Sequence, residues 1–371
     1  MSVFLTNSTW KMTESAIRSF TSKKINVVAG DVKKPSFNIY KHAQFIEYPS
    51  PDTDSSNFIN FMPTILKDMD IDVLFPMSNG AVTIISQNKD LFSQITNVPI
   101  PNYSILEIAH DKLKTVQYAQ KAGIEVPSTY YFDTVDDLIS SIGDFEYPLI
   151  VKPRYGGGAS VCLHKVKNSD ELVAAYSDVI NKYGPPVIQE YVEGGSEQMR
   201  LVDVLCDKES NLVAGMTAQK IREYPVNQGT MTYGYSTYEP ELLEIADDLL
   251  KYWNWYGAAE VELKIDSNDG IPKLIEVNPR FWQHLQLSIS CGLDLPYLLY
   301  QIALGEDVEY PTRYKVGVKY INPAKDMLSI SNSLFNLKLN KFASDLVETY
   351  RGEKAYSVHD WMRIDRLLGL R

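Results

Sequence analysis

Two rhythms of apolar and polar residues alternate along this chain. Short apolar runs are separated by stretches in which apolar residues recur at helical spacing. Over the first hundred residues the pattern predicts strands from Val3 to Leu5, from Asn26 to Ala29 (ending at Gly30-Asp31) and from Ile71 to Pro76. Helices are expected between them, from Glu14 to Ser22 and from Phe58 to Met69. Strands separated by helices imply a parallel sheet. A second stretch opens near His110, where Asp111-Lys112-Leu113-Lys114 begins a helix that stops at Gly123, with Pro127 following. Strands are predicted from Pro148 to Pro153 and from Pro186 to Val192, with the glycine loop Gly156-Gly157-Gly158-Ala159-Ser160 between them. A third stretch, about 200 to 305, reads as strands from Leu201 to Cys206 and from Leu212 to Ala218. It continues with a helix from Glu239 to Trp253 and a hairpin from Ala258 to Asn278. Beyond about residue 310 the pattern is mixed and carries no assigned role.

Composition narrows the class of protein. The chain has 371 residues, 44% hydrophobic and 22% charged, with ample length for a buried core and for two or three domains. A formal net charge of −11 repels phosphate backbones, so no nucleic-acid partner is expected, although a local basic pocket for a nucleotide stays open. Cys162, Cys206 and Cys291 form no CxxC pair, which argues against a disulfide framework or zinc site and for buried thiols in a reducing compartment. The short apolar start and the lack of any run near the ~20 apolar residues of a membrane span point to no leader, no membrane and a cytoplasmic location. The turn after the first strand, Thr6-Asn7-Ser8-Thr9, lacks the glycine fingerprint of dinucleotide binding, and no G-x-x-x-x-G-K-[ST] occurs.

The hairpin holds the clearest chemistry. Strand side chains alternate faces, so Glu260, Glu262 and Lys264 point one way and Val261, Leu263 and Ile265 the other. On the return strand Ile275 and Val277 are expected to share a face, with Glu276, Asn278 and Arg280 opposite. A turn centred on Asp269 would pair Glu262 directly with Glu276, their Cβ atoms roughly 5 Å apart. Two opposed carboxylates repel, and a divalent cation would relieve that. Two carboxylates and an amide oxygen are the hard ligands magnesium takes, with phosphate oxygens completing its shell. A solvated acidic face is the plainer alternative.

Lys152 follows the apolar run Leu149-Ile150-Val151, where a buried ammonium needs an anion or a route to water. Beside it lie the three glycines, whose freedom at positive φ lets backbone N–H groups approach phosphate oxygens. Asp111 suits a helix start by itself, and Lys112 becomes a phosphate contact only in company with the rest. The run Gln189-Glu190-Tyr191-Val192-Glu193-Gly194-Gly195-Ser196-Glu197 ends a strand, where backbone groups can hold a base and a carboxylate a ribose.

In this order these motifs resemble the ATP-grasp superfamily, most specifically through Ile275-Glu276-Val277-Asn278-Pro279-Arg280. The likeness covers about residues 1 to 305 and is closest to the carbamoyl-phosphate-synthase-like branch, which includes predicted carboxylate–amine ligases and a D-aspartate ligase. Gly257 to Glu262, Phe281-Trp282-Gln283 and Gly292-Leu293-Asp294-Leu295-Pro296 carry that closer likeness. It implies a parallel-sheet pre-ATP-grasp α/β domain (1–108) followed by a two-lobed α+β ATP-grasp fold. The small lobe with the glycine loop would be 109–195, the large lobe with the metal site 196–308, and the C-terminal extension 309–371. It implies that Lys112 and Lys152 contact ATP phosphates under a loop of Gly156, Gly157, Gly158 and Ser160. Glu190, Tyr191 and Val192 would hold adenine, chiefly by backbone groups, and Glu197 the ribose. Glu262, Glu276 and Asn278 would ligate Mg2+, with Mn2+ as an alternative. Arg280 would stabilise the transferring phosphoryl group, and Arg222 would line the acceptor or phosphate side. The expected activity is an ATP-dependent ligase that joins a small-molecule carboxylate to an amine through an acyl phosphate, releasing ADP. A bicarbonate-activating carboxylase, a carbamoyl-phosphate-type enzyme and a nucleotide binder without turnover are the alternatives, and a homo-oligomer is left open.

Overall fold

The computed structural model describes residues 1–33, 43–156, 163–226, 229–335, 343–344, 347 and 354–356. The first unit contains β1 (Ser2–Leu5), α1 (Lys11–Ser22), β2 (Asn26–Asp31), β3 (Ala43–Glu47), α2 (Ser55–Asp68) and β4 (Val73–Phe75). Helices α3 (Asn79–Gln87), α4 (Lys89–Ser93) and α5 (Tyr103–His110) follow. Its four strands pair in parallel in the order β3-β2-β1-β4. Every residue of β1 is buried, as a strand covered on both faces requires. Strand β3 is only half-buried at the sheet edge and carries no apolar run long enough to announce it.

The second unit opens with α6 (Lys112–Lys121) and contains β5 (Thr129–Tyr131), α7 (Val135–Ser140), β6 (Leu149–Pro153), β7 (His164–Val166), α8 (Ser169–Tyr183) and β8 (Pro186–Glu190). Its strands form an antiparallel sheet in the order β5-β8-β6-β7. One separate core, with Leu138, Leu149, Val151, Leu172, Tyr176, Val179 and Ile188, joins that sheet to α7 and α8.

The third unit contains β9 (Met199–Cys206), β10 (Leu212–Tyr224), β11 (Thr230–Thr237), α9 (Pro240–Tyr252), β12 (Gly257–Ile265) and β13 (Pro272–Asn278). It continues with α10 (Leu285–Ser290), α11 (Leu295–Leu304), β14 (Lys319–Ile321), α12 (Pro323–Phe335) and β15 (Lys354–Tyr356). The strand order is β13-β12-β9-β10-β11-β14-β15, antiparallel except for the last pair. The described part of the C-terminal stretch therefore extends the large sheet. The first and third units share their cores. Val3 and Leu5 pack in one cluster with Leu201, Phe281 and Trp282, while Phe4 joins a second with Val202, Val261 and Val277.

The β12–β13 hairpin forms as expected in one respect and differs in another. Glu262 lies directly opposite Glu276. Between Glu262 and Leu263 the register then slips, so that Leu263 faces Leu274 and Ile275 is the extra residue. Such a bulge breaks strict alternation. Leu274 and Val277 enter the core, and Ile275 does not pair with Val277 on that face. The bulge also lets Lys273 share the polar side with Glu276, where it meets Glu190 and Asp266.

Among the described residues, no helix is long and apolar enough to cross a membrane. Cys206 and Cys291 are buried free thiols, and Cys162 lies outside the described residues.

Candidate active site

The polar face of the hairpin gathers three carboxylates around one amide. Asn278 Nδ2 lies 3.0 Å from Glu260 Oε2, 3.2 Å from Glu262 Oε1 and 3.2 Å from Glu276 Oε1. An amide nitrogen has two hydrogens and cannot serve three carboxylates at once. Burial, then the neighbouring Glu276, pushes the Glu262 carboxyl well above the usual range, with Glu260 adding to the effect against Lys220. Crowded oxygen ligands whose charge is held off by burial and repulsion are the donor set that suits a hard divalent cation.

Arg280 borders this cluster. Its Nη2 donates to Asn278 Oδ1 (3.3 Å), its Nη1 to the Phe281 carbonyl (3.0 Å) and its Nε to Asn79 Oδ1 (2.8 Å). The bond to Asn278 Oδ1 sets the amide so that its nitrogen faces the carboxylates. Burial lowers the arginine pKa, and Glu260, Glu276 and Glu262 oppose that shift.

The second unit brings its lysines to the same place. Lys152 on β6 is buried, and no hydrogen bond or ion pair engages it among the described residues. Burial and the adjacent charge of Lys112 push its pKa down to about 8, while Glu276 and Glu262 push it up. Lys112, the first residue of α6, donates from Nζ to the Gly156 carbonyl at 2.8 Å. Its pKa is also lowered by burial against the pull of Glu276 and Asp111. Two cations from one unit thus face Glu276 on another. Gly156 has φ +69°, the left-handed region that favours glycine, whereas Gly157, Gly158 and Ser160 lie outside the described residues.

Asp111 does more than start a helix. It caps α6 through Leu113 N (3.0 Å) and Lys114 N (3.3 Å). It also takes Arg154 Nε (2.8 Å), Arg154 Nη2 (2.6 Å) and the Tyr155 hydroxyl (2.9 Å). One buried carboxylate therefore ties the first turn of α6 to Arg154 and Tyr155, just past the end of β6.

The expected base-binding residues sit at the end of β8. The Glu190 carboxylate accepts from Ser128 N (3.1 Å) and Lys273 Nζ (2.7 Å), so its side chain is engaged within the protein. The Val192 carbonyl accepts from Lys264 Nζ at 2.8 Å. Lys165 and Lys264 lie over the Tyr191 ring, 3.2 and 4.8 Å from its centre. Glu197 is exposed on a short turn, Ser196–Gln198.

Two arrangements lay outside the sequence reading, the first at Arg222, which that reading expected to line the acceptor or phosphate side. Arg222 is buried, and Asp326 on α12 holds it through Nε (2.9 Å) and Nη2 (2.8 Å). The cation that the site carboxylates feel on β10 is Lys220, two positions earlier. Its Nζ bonds Glu223 Oε2 at 3.1 Å. Burial lowers its pKa, but Glu262, Glu223 and Glu260 outweigh burial and hold it above the usual lysine range. Strand β10 changes register on both sides of Arg222, which simple alternation does not foresee.

The second feature is a buried chain behind Glu260. His284 Nε2 lies 3.0 Å from Asp203 Oδ2, and His284 Nδ1 lies 3.7 Å from Glu260 Oε1. Burial pushes His284 down to about 4 and Asp203 well above the carboxylate range. Burial also raises Glu260 to about 7, against His284. The three offer ligand atoms within 4.8 Å of one another, but the ring presents a different edge to each carboxylate, which suits a hydrogen-bonded chain. The only sequence signal for it was His284 next to the Phe281-Trp282-Gln283 run.

An acidic hairpin facing two lysines is an arrangement that suits a divalent cation and phosphate oxygens together. Residues 109–283 match the family model of the ATP-grasp domain. The chain is 24% identical to the carbamoyl phosphate synthase large chain of Helicobacter pylori (strain ATCC 700392 / 26695) over 362 residues, 92% of this chain and 32% of that protein. It spans a third or less of the length of the curated relatives it matches. The biotin carboxylase–β-γ-ATP complex from Campylobacter jejuni shares the fold with a TM-score of 0.69 at 18% identity, covering 86% of this chain and 74% of that one. The L-amino acid ligase from Bacillus licheniformis does so with a TM-score of 0.64 at 17% identity, covering 82% of this chain and 74% of that one. These likenesses show a mixed α/β ATP-grasp fold.

Proposed function

We propose that the chain is an ATP- and Mg2+-dependent carboxylate–amine ligase. The γ-phosphoryl group passes from ATP to a substrate carboxylate. An amine then attacks the acyl phosphate, the C–O bond to phosphate breaks, and an amide, ADP and phosphate leave. One observation supports this above the others. Glu262 stands opposite Glu276 with Arg280 two residues past Asn278, and Lys112 and Lys152 face that group from the neighbouring unit.

Glu262, Glu276 and Asn278 would hold Mg2+, or Mn2+ in its place, Asn278 through Oδ1 with its amide turned from the orientation in which Nδ2 faces the carboxylates. The ion would supply charge neutralisation on the β- and γ-phosphates. Lys112 and Lys152 bind phosphate oxygens, and Arg280 neutralises charge on the transferring group. Gly156, Gly157, Gly158 and Ser160 cover the phosphates. Glu190, Tyr191 and Val192 hold adenine with backbone groups, and Glu197 holds the ribose. Arg222 acts through the wall it forms with Asp326, while Lys220 is the better-placed cation for the acceptor side. The functional parts are residues 1–108, 109–195 and 196–308. Within residues 309–371 the described strands extend the large sheet, the enzyme acts in the cytoplasm, and a homo-oligomer is possible.

Bicarbonate activation is the second reading, favoured by the relatives named as carbamoyl phosphate synthase and biotin carboxylase. Nucleotide products separate the possibilities. The purified chain, screened with amino acids, dipeptides and bicarbonate, is expected to release ADP with a carboxylate–amine pair. AMP with pyrophosphate would sink the mechanism, and ADP release on bicarbonate alone would favour the second reading.

A further inference from the structure

Arg280 is oriented by two parts of the chain that lie far apart in sequence. Asn278 and the Phe281 carbonyl are its neighbours, but its Nε donates to Asn79, 201 residues earlier in the first unit. We propose that Asn79 is a positioning residue that aims the Arg280 guanidinium, so that the first unit is part of the catalytic centre; this rests on the phosphoryl-transfer role given above to Arg280.

A guanidinium carries five N–H donors in one plane. Among the described residues three are engaged, one each on Nε, Nη1 and Nη2. Each terminal nitrogen keeps one N–H, and such a pair suits two oxygens of a phosphoryl or carboxylate group. The plane of that fork turns with the Nε–H bond, so whatever holds Nε decides where the fork points.

Asn79 is itself firmly rooted. It opens α3, whose cap is Ser78, accepting from Ala81 N at 3.2 Å. Gly80 lets this turn lie against Asp52, because a Cβ there would collide with the Asp52 carboxylate. The Asn79 carbonyl takes the Thr83 hydroxyl at 2.7 Å. Ala81, Val82 and Ile85 of α3 share a core with Leu274 and Val277 of β13, so the helix and the strand that leads to Arg280 move together.

The acceptor being neutral matters as much as its place. Glu260, Glu276 and Glu262 all attract the guanidinium. Without a bond at Nε, the arginine is free to turn toward those carboxylates and compete with the cation they would hold. An amide oxygen holds Nε without cancelling the charge that the transferring group needs.

The test uses the full chain with arginine labelled by 15N. Wild type is expected to show a protected Nε–H resonance that disappears in Arg280→Lys and in Asn79→Ala, and returns in Asn79→Asp, which restores an acceptor oxygen. With the carboxylate–amine pair found by the ADP-release screen, Asn79→Ala is expected to lower kcat about tenfold. KM for ATP should stay within about twofold, as loss of a transition-state contact requires. Added to Arg280→Ala, it should cost nothing further. An Nε–H signal unchanged in Asn79→Ala, or an additive loss in the double variant, overturns the proposal. A wild-type chain that releases no ADP defeats the parent reading instead, and the Nε–H signal then decides the role of Asn79.

Discussion

Two arginines, Arg222 and Arg280, end up inside this protein under opposite terms. Asp326 holds Arg222 by a two-bond fork, the Thr232 hydroxyl adds a bond to the same carboxylate, and the Arg222 guanidinium lies 4.3 Å from the centre of the Tyr233 ring. That is a buried charge with its countercharge in contact. Arg280 is held by neutral oxygens, from Asn79, Asn278 and the Phe281 backbone, while three carboxylates act on it without a direct bond. A buried cation with its own carboxylate has little left for a ligand. One propped by neutral groups keeps both its charge and two donors. The identity of the partner is what sets the two arginines apart.

Removing the partner of Arg222 should give the largest effect. Asp326→Ala leaves a buried guanidinium without its countercharge and is expected to cost about 3–5 kcal/mol of stability. Urea unfolding checks this, and a cost below about 1 kcal/mol would break the contrast. Arg280→Ala should instead leave the unfolding midpoint nearly unchanged and slow ADP release about a hundredfold, ~3 kcal/mol in barrier. ATP affinity by calorimetry should stay nearly intact. A drop in stability as large as that of Asp326→Ala would make Arg280 another structural arginine.

The carboxylates around Arg280 should report the ion. Glu262→Gln is expected to raise the magnesium needed for half-maximal ADP release about tenfold, ~1.4 kcal/mol. It should also tend to stabilise the metal-free fold, since it removes a repelled carboxylate. An unchanged magnesium requirement would remove Glu262 from the ligand set.

The smallest effect concerns pH. His110 sits against Arg280 and Lys112, and burial with those two charges pushes its pKa down to about 4. An unfolded histidine titrates near 6.5. Below that value the unfolded chain binds a proton that the folded chain refuses, so stability falls as pH drops from about 6.5 toward 4. Between pH 7 and 5.5 the loss from His110 should be about 1 kcal/mol, and it should vanish in His110→Gln by urea unfolding. His284 is a poorer probe. It shares the shift to about 4, but Glu260, raised to about 7, titrates in the same window with the opposite sign.

Much of the fold was legible because its signals are local. The parallel sheet followed from short apolar runs between helical stretches, and β1, β2 and β4 lie where those runs do. The start of α6 followed from Asp111, which does accept the first-turn N–H groups. The opposition of Glu262 and Glu276 followed from the turn between their strands. Where alternation is interrupted, the same reasoning fails. The bulge at Ile275 sends Leu274 to the core, and the irregular stretch of β10 sets Arg222 against Asp326 and Lys220 near Glu262 and Glu260.

The sequence by itself therefore determined which residues could do chemistry: three carboxylates and an amide on one hairpin, and two lysines beside a glycine loop. Each of those signals lies within a few residues, where the chain's own geometry sets the distance. Tertiary structure alone decided how the cations are used. Arg222 finds Asp326 at a separation of 104 residues, and Arg280 finds Asn79 at 201. Side chains so far apart in sequence leave no periodicity or spacing to read. They meet because the first and third units bury their apolar faces in common cores, and that packing, which carries no charge pattern of its own, settles which arginine is neutralised and which stays available.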